Sequence, residues 1–386
     1  MSGPLNQLKI VDLSLGAAGA LATMLLGDNG ATIIKVEPPG GDPARIVPAL
    51  RVWNRNKKSV ILDLTKPQSI GVLMKLLEDA DVLLETYQPG ITAQLGIDYA
   101  TLKDRYPKLI YCSLTGYGQE GEEKNHSPAD GLVQARTGLQ WLQEGHRDGP
   151  VYLGFAIPSY SAGFMASYGI LAALHARAKT GLGQQVDTSL RNATIMMQRW
   201  GWSAPVADAP EPGGRLMMTR SFLCGDGEYL WTHTGARGSF ERLMKALGMT
   251  EFIAERAGFH GARMDTITTK EIAAEFNKLA EEIFASKSRS EWMEYLDGFD
   301  IPNRPSQYPG EAFDDEQVNA ISAIVEVEDP ELGTLREVAP PYRFASTPHS
   351  NPGPAPRPGE HTDLILGQLG FSVEEIKDFK DQRVVQ

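Results

Sequence analysis

The sequence predicts an α/β domain built on a mostly parallel sheet, joined to a smaller α+β unit. Three observations carry this expectation. Over the first third of the chain, short apolar runs alternate with segments of helical spacing. A long helical pattern from about Ser161 to Lys179 follows. A Pro/Gly-rich stretch at 204–214 then separates this region from a hairpin and several helical segments.

In order along the chain, Leu8–Leu13 reads as a buried strand and Ala17–Asn29 as a helix stopped by Gly30. Ala31–Glu37 is a second strand, ended by Pro38-Pro39-Gly40-Gly41. Ser59–Leu64, Val82–Glu85 and Leu109–Leu114 are three more, and Gln68–Asp79 is a helix with Ile70, Leu73, Leu76 and Leu77 on one face. In the long helix Phe164, Met165, Tyr168, Leu171, Ala172 and Leu174 recur at three and four, Arg177 and Lys179 suit the last turn, and Gly181 is a stop. Beyond 204–214, Phe222–Thr232 predicts a hairpin around Gly225-Asp226-Gly227, and helices are expected near 239–247, 269–286 and 289–297. Residues 302–310 and 339–359 are again rich in Pro and Gly, and Thr362–Phe379 reads as two short helices parted by Gly370.

Composition narrows the function. At 386 residues the chain exceeds what one core usually supports. Its 49 acids against 37 bases make a general nucleic-acid surface improbable. No apolar run reaches the roughly 18 residues of a membrane helix, and the start, Met-Ser-Gly-Pro-Leu-Asn-Gln, has no signal-peptide character, so a cytoplasmic location is expected, with no membrane partner. Cys112 and Cys224 stand far apart and the seven His are scattered, so neither a disulfide scaffold nor a metal site is expected. No G-x-S-x-G elbow or P-loop is present. Against the acidic background, Arg45, Arg51, Arg55, Lys57 and Lys58 form a run without an acid, the place to expect a phosphate. Gly16-Ala-Ala-Gly19, between a strand and a helix, is a second candidate anion site.

Read together, these segments resemble the family III CoA-transferases, the group that includes formyl-CoA transferase, carnitine CoA-transferase and α-methylacyl-CoA racemase. The landmarks are Ile10–Leu13 with Ala18-Gly19-Ala20, Gly30–Pro38 with Gly41-Asp42 and Arg45, Asn54–Leu64, Ala80–Glu85 with Pro89-Gly90, Leu95-Gly96 and Tyr99. They continue through Tyr106–Tyr111, Gly116–Gly121, Gln134-Ala135 with Gly138, Gly169–Leu174, Thr180–Gln184 and Gly359–Thr362. The resemblance implies a Rossmann-like large domain built from both chain ends, a smaller domain between them, and an interlocked dimer. The corresponding boundaries are 1–203 for the first part of the large domain, 204–216 as linker, 217–301 for the small domain, 302–325 as linker and 326–386 for the return. It also implies CoA or an acyl-CoA, bound as substrate with no separate cofactor. Its contacts by position are Ala18, Arg45, Leu62–Thr65, Thr86-Tyr87-Gln88 and Gly116-Tyr117-Gly118-Gln119, with Gln94 where formyl-CoA transferase has a phosphate-binding Arg.

The chain departs from the pattern where the chemistry belongs. In the transferases an Asp four residues before the glycine of the long helix accepts the acyl group; here that glycine is Gly163 and the position is Ser159. The racemase His falls on Ala129, beside a retained Asp130, which is a catalytic candidate. A carboxylate forms an anhydride that stays activated toward CoA thiolate, whereas a seryl ester is a poor acyl donor and Ser needs a base, such as His126 or His233. The favoured expectation is therefore a CoA-transferase subunit moving CoA between small carboxylic acids, with the Asp on a paralogous partner, as the heteromeric benzylsuccinate CoA-transferases suggest. Alternatives are a homodimer of other CoA-ester chemistry (isomerase, hydratase or lyase) using Asp130 or a His as base, and a binding protein without turnover. Tyr152, Phe155, Tyr160, Trp200 and Trp202 flank Ser159 in sequence and suit an aromatic acid.

Overall fold

A computed structural model describes residues 3–142, 149–198, 214–215, 218–256, 267–349 and 351–386. Trp200, Trp202 and residues 204–213 of the expected linker lie outside the described residues. The chain divides into two compact units, Met1–Ser203 with Ile321–Gln386, and Ala204–Ala320. No helix among the described residues is long and apolar enough to cross a membrane.

Six strands make the sheet of the first unit: β1 (Lys9–Asp12), β2 (Thr32–Glu37), β3 (Lys58–Ile61), β4 (Val82–Glu85), β5 (Ile110–Thr115) and β6 (Gln185–Ser189). They lie in the order β3-β2-β1-β4-β5-β6, and every pairing is parallel. This is the doubly wound order, whose direction of growth reverses between β1 and β4. Both faces are covered, so side chains two apart enter the same layer. Ile10, Val82, Leu84, Ile110, Cys112 and Leu114 face α1 (Ala17–Asp28) and a long helix whose range is Ile157–Thr180. Val11, Leu13, Val36, Val60, Leu83 and Tyr111 face α2 (Pro67–Glu78) and the returning tail, where Ile365, Leu366 and Ile376 join them.

Helix α3 (Asp130–Arg136) precedes that long helix, α4, and α5 (Leu190–Met197) follows β6. Helix α4 begins four residues earlier than its apolar spacing predicts, because Pro158 is at home in a first turn. It ends at Gly181, whose φ of 75° is the left-handed cap expected there. Small residues let α1 and α4 approach closely: a Cβ on Gly163 would stand 2.8 Å from the Ala18 carbonyl oxygen. Strand β6, Gln-Val-Asp-Thr-Ser, is a polar edge strand without the apolar signature of its neighbours.

In the second unit, β7 (Arg220–Leu223) and β8 (Tyr229–Thr232) form the expected hairpin, and β9 (Asn303–Pro305) pairs with β8 at the sheet edge. Residues 302–320, which their Pro and Gly content presents as a connection, thus belong to this unit, and Pro305 is tolerated because its strand has a free edge. Helices Ser239–Ala246, Lys270–Phe284 and Arg289–Asp297 close the core around Phe222, Leu230, Phe276, Phe284 and Trp292. The chain re-enters the first unit through a hairpin, Ile324–Asp329 with Gly333–Val338.

A fully buried cluster of charges sits under the β1–α1 turn. Asp12 accepts hydrogen bonds from the Ser14 amide (2.9 Å) and hydroxyl (2.5 Å), from the Thr23 hydroxyl (2.6 Å) and from Lys57 Nζ (3.2 Å). Lys35 Nζ donates to the Ser14 carbonyl (2.6 Å) and lies 3.7 Å from Asp42. Burial pushes the Asp12 carboxyl up, but Lys35, Lys57 and the two hydroxyls outweigh it and hold it at about 2.

Four of the five cations in the basic run are committed to acids of this same unit. Arg45 makes a two-pronged pair with Glu37 (both 2.7 Å), and Arg51 meets Asp329 (2.7 Å) and Glu331 (2.9 Å). Arg55, buried, binds Asp28 (3.0 and 2.6 Å) and the Val338 carbonyl (2.6 Å), and Lys57 belongs to the Asp12 cluster. Arg51 and Arg55 thus clasp the returning hairpin, while Arg45 and Lys57 pair with acids of β2 and β1.

Replacing Asp12 by Ala leaves the buried Lys57 ammonium without its acid, while Lys35 keeps Asp42, and is expected to cost about 3 to 5 kcal/mol of stability in urea unfolding. In the wild type, the Asp12 contribution is whole above the ordinary carboxyl value of 3.8 and is lost as pH falls through about 2. An Asp12→Ala protein within 1 kcal/mol or so of wild type would contradict this account.

Candidate functional site

Every segment that the resemblance assigns to CoA follows the carboxyl end of a strand: Ala18 after β1, Arg45 after β2, Leu62 and Thr65 after β3, Thr86–Gln88 after β4, and Gly116–Gln119 after β5. In a parallel sheet these ends share one edge, and the crevice at the switch point between β1 and β4 is where such folds take their ligands. The two loops at that point are tied together, since the Leu15 amide donates to Thr86 Oγ1 at 2.8 Å.

The turn amides offered to an anion are partly spoken for. Gly16, at φ 77°, donates to Asp42 Oδ2 (3.0 Å), and Ser14 to Asp12. No side chain caps α1, whose first residues include the buried Ala18. Arg45, although paired with Glu37 and bonded to the Pro356 carbonyl (2.8 Å), keeps a fifth of its side chain exposed. Beside it a cavity of about 250 Å3 is lined by Arg51 and Arg357 together with Asp329 and Glu331. Leu62 is buried and bridged to Val385, and the Thr65 hydroxyl is taken by Asp63 (2.6 Å).

After β4, the Tyr87 amide donates to Glu85 Oε2 (2.7 Å) and Gln88 Nε2 reaches the Asn125 carbonyl at 3.5 Å. After β5, Gly116 lies so close to Pro128 that a Cβ would stand 2.6 Å from the Pro128 Cβ. Gly118, at φ 100°, donates its amide to Thr115 Oγ1 (3.0 Å), Tyr117 meets His126 edge-on, and Gln119 bonds Asp187. Gln94 is exposed.

Ser159 and Asp130 meet. Ser159 is the third residue of α4 and Asp130 the first of α3. The Ser159 amide donates to Asp130 Oδ1 at 2.9 Å and its hydroxyl to Oδ2 at 2.6 Å. The pair is bracketed by the crevice loops: Pro128, two residues before Asp130, rests on Gly116, and Gly163, one turn beyond Ser159, rests on Ala18. Aromatic rings border it. Phe155 stacks on Tyr160 (centroids 4.6 Å apart), Trp53 meets Tyr160 edge-on at 5.5 Å, and Tyr152 packs against Gly131. Of the candidate bases, His126 is on the Tyr117 ring and His233 lies in the other unit.

Sequence reasoning did not single out Glu85. It closes an otherwise apolar strand, Val-Leu-Leu-Glu, where a lone acid is the available signal. Burial pushes its carboxyl up to about 7 against the pull of Ser113 and the Tyr87 amide, with Asp187 adding repulsion.

A doubly wound sheet whose loops converge at the switch point defines the class of α/β proteins that take their ligands at the carboxyl ends of the strands. Within that class, the chain belongs to CoA-transferase family III, whose family model matches residues 5–362. It is 29% identical over 391 residues to a human succinyl-CoA:glutarate CoA-transferase, covering 95% of this chain and 86% of that protein. It is 27% and 28% identical to proteins named as the alpha and beta subunits of a succinyl-CoA–L-malate CoA-transferase of Chloroflexus aurantiacus, in each case over 99% of this chain and 92% and 98% of the relatives. A solved CAIB/BAIF family protein from Brucella suis superposes with a TM-score of 0.80 at 26% identity, covering 96% of this chain and all of that one.

Because the Glu85 carboxyl lies above its ordinary value of 4.5, its burial subtracts stability as pH rises from about 4.5 through about 7. The expected span is up to about 3 kcal/mol. Melting curves between pH 5 and about 8 are expected to fall more steeply for wild type than for Glu85→Gln, and identical slopes would refute the assignment.

Proposed function

We propose that this protein binds an acyl-CoA along the carboxyl edge of its sheet and serves the transfer of CoA from that ester to a second, small carboxylic acid, aromatic acids included. The observation that carries this reading is the gathering of five segments, scattered from Ala18 to Gln119, onto one sheet edge in a chain of CoA-transferase family III. The Phe155–Tyr160 stack beside Ser159 supports an acid with an apolar body.

Transfer needs a carboxylate to hold the acyl group, and position 159 has none. On the resemblance alone, an Asp-bearing paralogue in a heterodimer supplies it, and the relatives named as alpha and beta subunits support that composition. One observation favours a second reading, a chain complete in itself: the Asp130 carboxylate rests on Ser159.

Calorimetry is expected to give a micromolar dissociation constant for CoA, about −8 kcal/mol. Arg45→Ala should weaken binding about 10- to 100-fold and also lower the melting temperature, since Glu37 is left buried without its cation. No heat at millimolar CoA would refute the binding reading. For composition, CoA exchange that appears only on adding an Asp-bearing paralogue supports the heterodimer, and turnover by the pure chain supports the second reading.

A further inference from the structure

We propose that Asp130 is the acyl-accepting carboxylate of this chain and that Ser159 is its positioning residue. The inference rests on the transferase reading above, in the form where the chain completes its own site. The Asp130 oxygens lie 2.6 Å from Ser159 Oγ and 2.9 Å from its amide nitrogen, so a carboxylate stands beside the residue whose own carboxylate is missing. It arrives from a different helix, on a backbone 29 residues away. Asp130 is partly exposed whereas Ser159 is buried, so the carboxylate is the member of the pair that a substrate reaches first.

The geometry also separates the two side chains by role. The Ser159 hydroxyl donates a hydrogen bond to Asp130 and fixes the plane of the carboxylate, while each Asp130 oxygen keeps a lone pair outside these two bonds. A carboxylate needs no base in order to attack, and the anhydride it forms remains reactive toward a thiolate. A Ser159 ester would trap the acyl group.

The steps balance without a further reactant. An Asp130 oxygen attacks the thioester carbonyl, the C–S bond breaks, and CoA leaves as the thiolate with the electron pair, giving a mixed anhydride. The thiolate attacks the Asp130 carbonyl carbon, releasing the first acid as its carboxylate and leaving an Asp130 thioester of CoA. The second acid's carboxylate attacks that thioester and expels the thiolate. The thiolate then attacks the new acyl carbon, and Asp130 departs as a carboxylate that retains the bridging oxygen of the incoming acid. At each departure from Asp130, the Ser159 amide and hydroxyl are placed to stabilise the returning negative charge.

The retained oxygen is the readout. The wild-type chain is incubated with succinyl-CoA and with phenylacetyl-CoA, each in the presence of its own free acid labelled with heavy oxygen in the carboxylate, and its peptides are weighed by mass spectrometry. Label is expected on Asp130. Asp130→Asn, checked for folding by its melting curve, should show no label on residue 130 and lose activity by roughly a thousandfold or more. Ser159→Ala should keep the label on Asp130 while kcat falls about 10- to 100-fold at unchanged KM for the ester, a split that a purely structural loss would not give. Turnover with label on Ser159 or any other residue overturns the inference, as does an unlabelled Asp130 with both ester pairs. In the unlabelled case, calorimetry separates the failures: donors that still bind leave the transferase reading standing with its carboxylate elsewhere, and donors that do not bind remove that reading as well.

Discussion

The first unit is organised around one buried carboxylate. Asp12 ends a central strand, and the two ammonium groups around it come from the two strands on one side of it, Lys35 from β2 and Lys57 from the residue before β3. Taking three charges out of water is costly, and their attraction offsets that cost only when every donor and acceptor is met. Here Ser14, Thr23, the Asn54 side-chain oxygen, the Ala20 carbonyl and Asp42 supply partners to the three charges. The arrangement therefore admits very few alternative paths for the chain between β1 and α1, and it is this path that brings Leu15 to Thr86 and Ala18 under Gly163.

From that fixed turn the rest of the crevice follows by contact. Each loop is pinned to its own strand end, Tyr87 by Glu85 and Gly118 by Thr115, so that little is left to side-chain adjustment when a ligand arrives. The helices that carry Asp130 and Ser159 are seated on the same loops through two glycines, Gly116 and Gly163, where any side chain would collide with Pro128 or Ala18. The Asp130–Ser159 pair and the loops after β1 and β5 thus lie along one edge of the sheet.

The sheet was legible wherever both faces are apolar. Five strands show as short runs of Ile, Val and Leu because each lies between two helical layers, whereas β6 escapes notice because an edge strand with Gln, Asp and Thr has no such pattern. Helix α3 is too short, at seven residues, to show a period. The basic run was legible as a charge reversal, and its meaning was not: the partners of Arg51 and Arg55 at Asp329, Glu331 and Glu337 lie some 280 residues further on. The same holds for Asp130 and Ser159, each visible as a residue while their meeting depends on two helix starts converging in space. The order of the family motifs was readable along the chain; local pattern does not report which side chains touch.

The clasp of Arg45, Arg51 and Arg55 on the returning segment has a consequence for how the protein is made. Those cations emerge from the ribosome long before Asp329, Glu337 and the Pro356 carbonyl exist, with sequence separations of 278, 282 and 311 residues to be closed. Between the two comes the whole of the second unit, whose buried core, among the described residues, is drawn from 218–301. During synthesis the nascent first unit can already pair Arg45 with Glu37 and Arg55 with Asp28, but it waits with Arg51 lacking its two acids and the face under Ile365 and Ile376 uncovered, a sticky intermediate of the kind that non-local folds expose. Release of the last sixty or so residues is the event that makes it native, so truncation from the carboxyl end removes the closure of the amino-terminal unit itself.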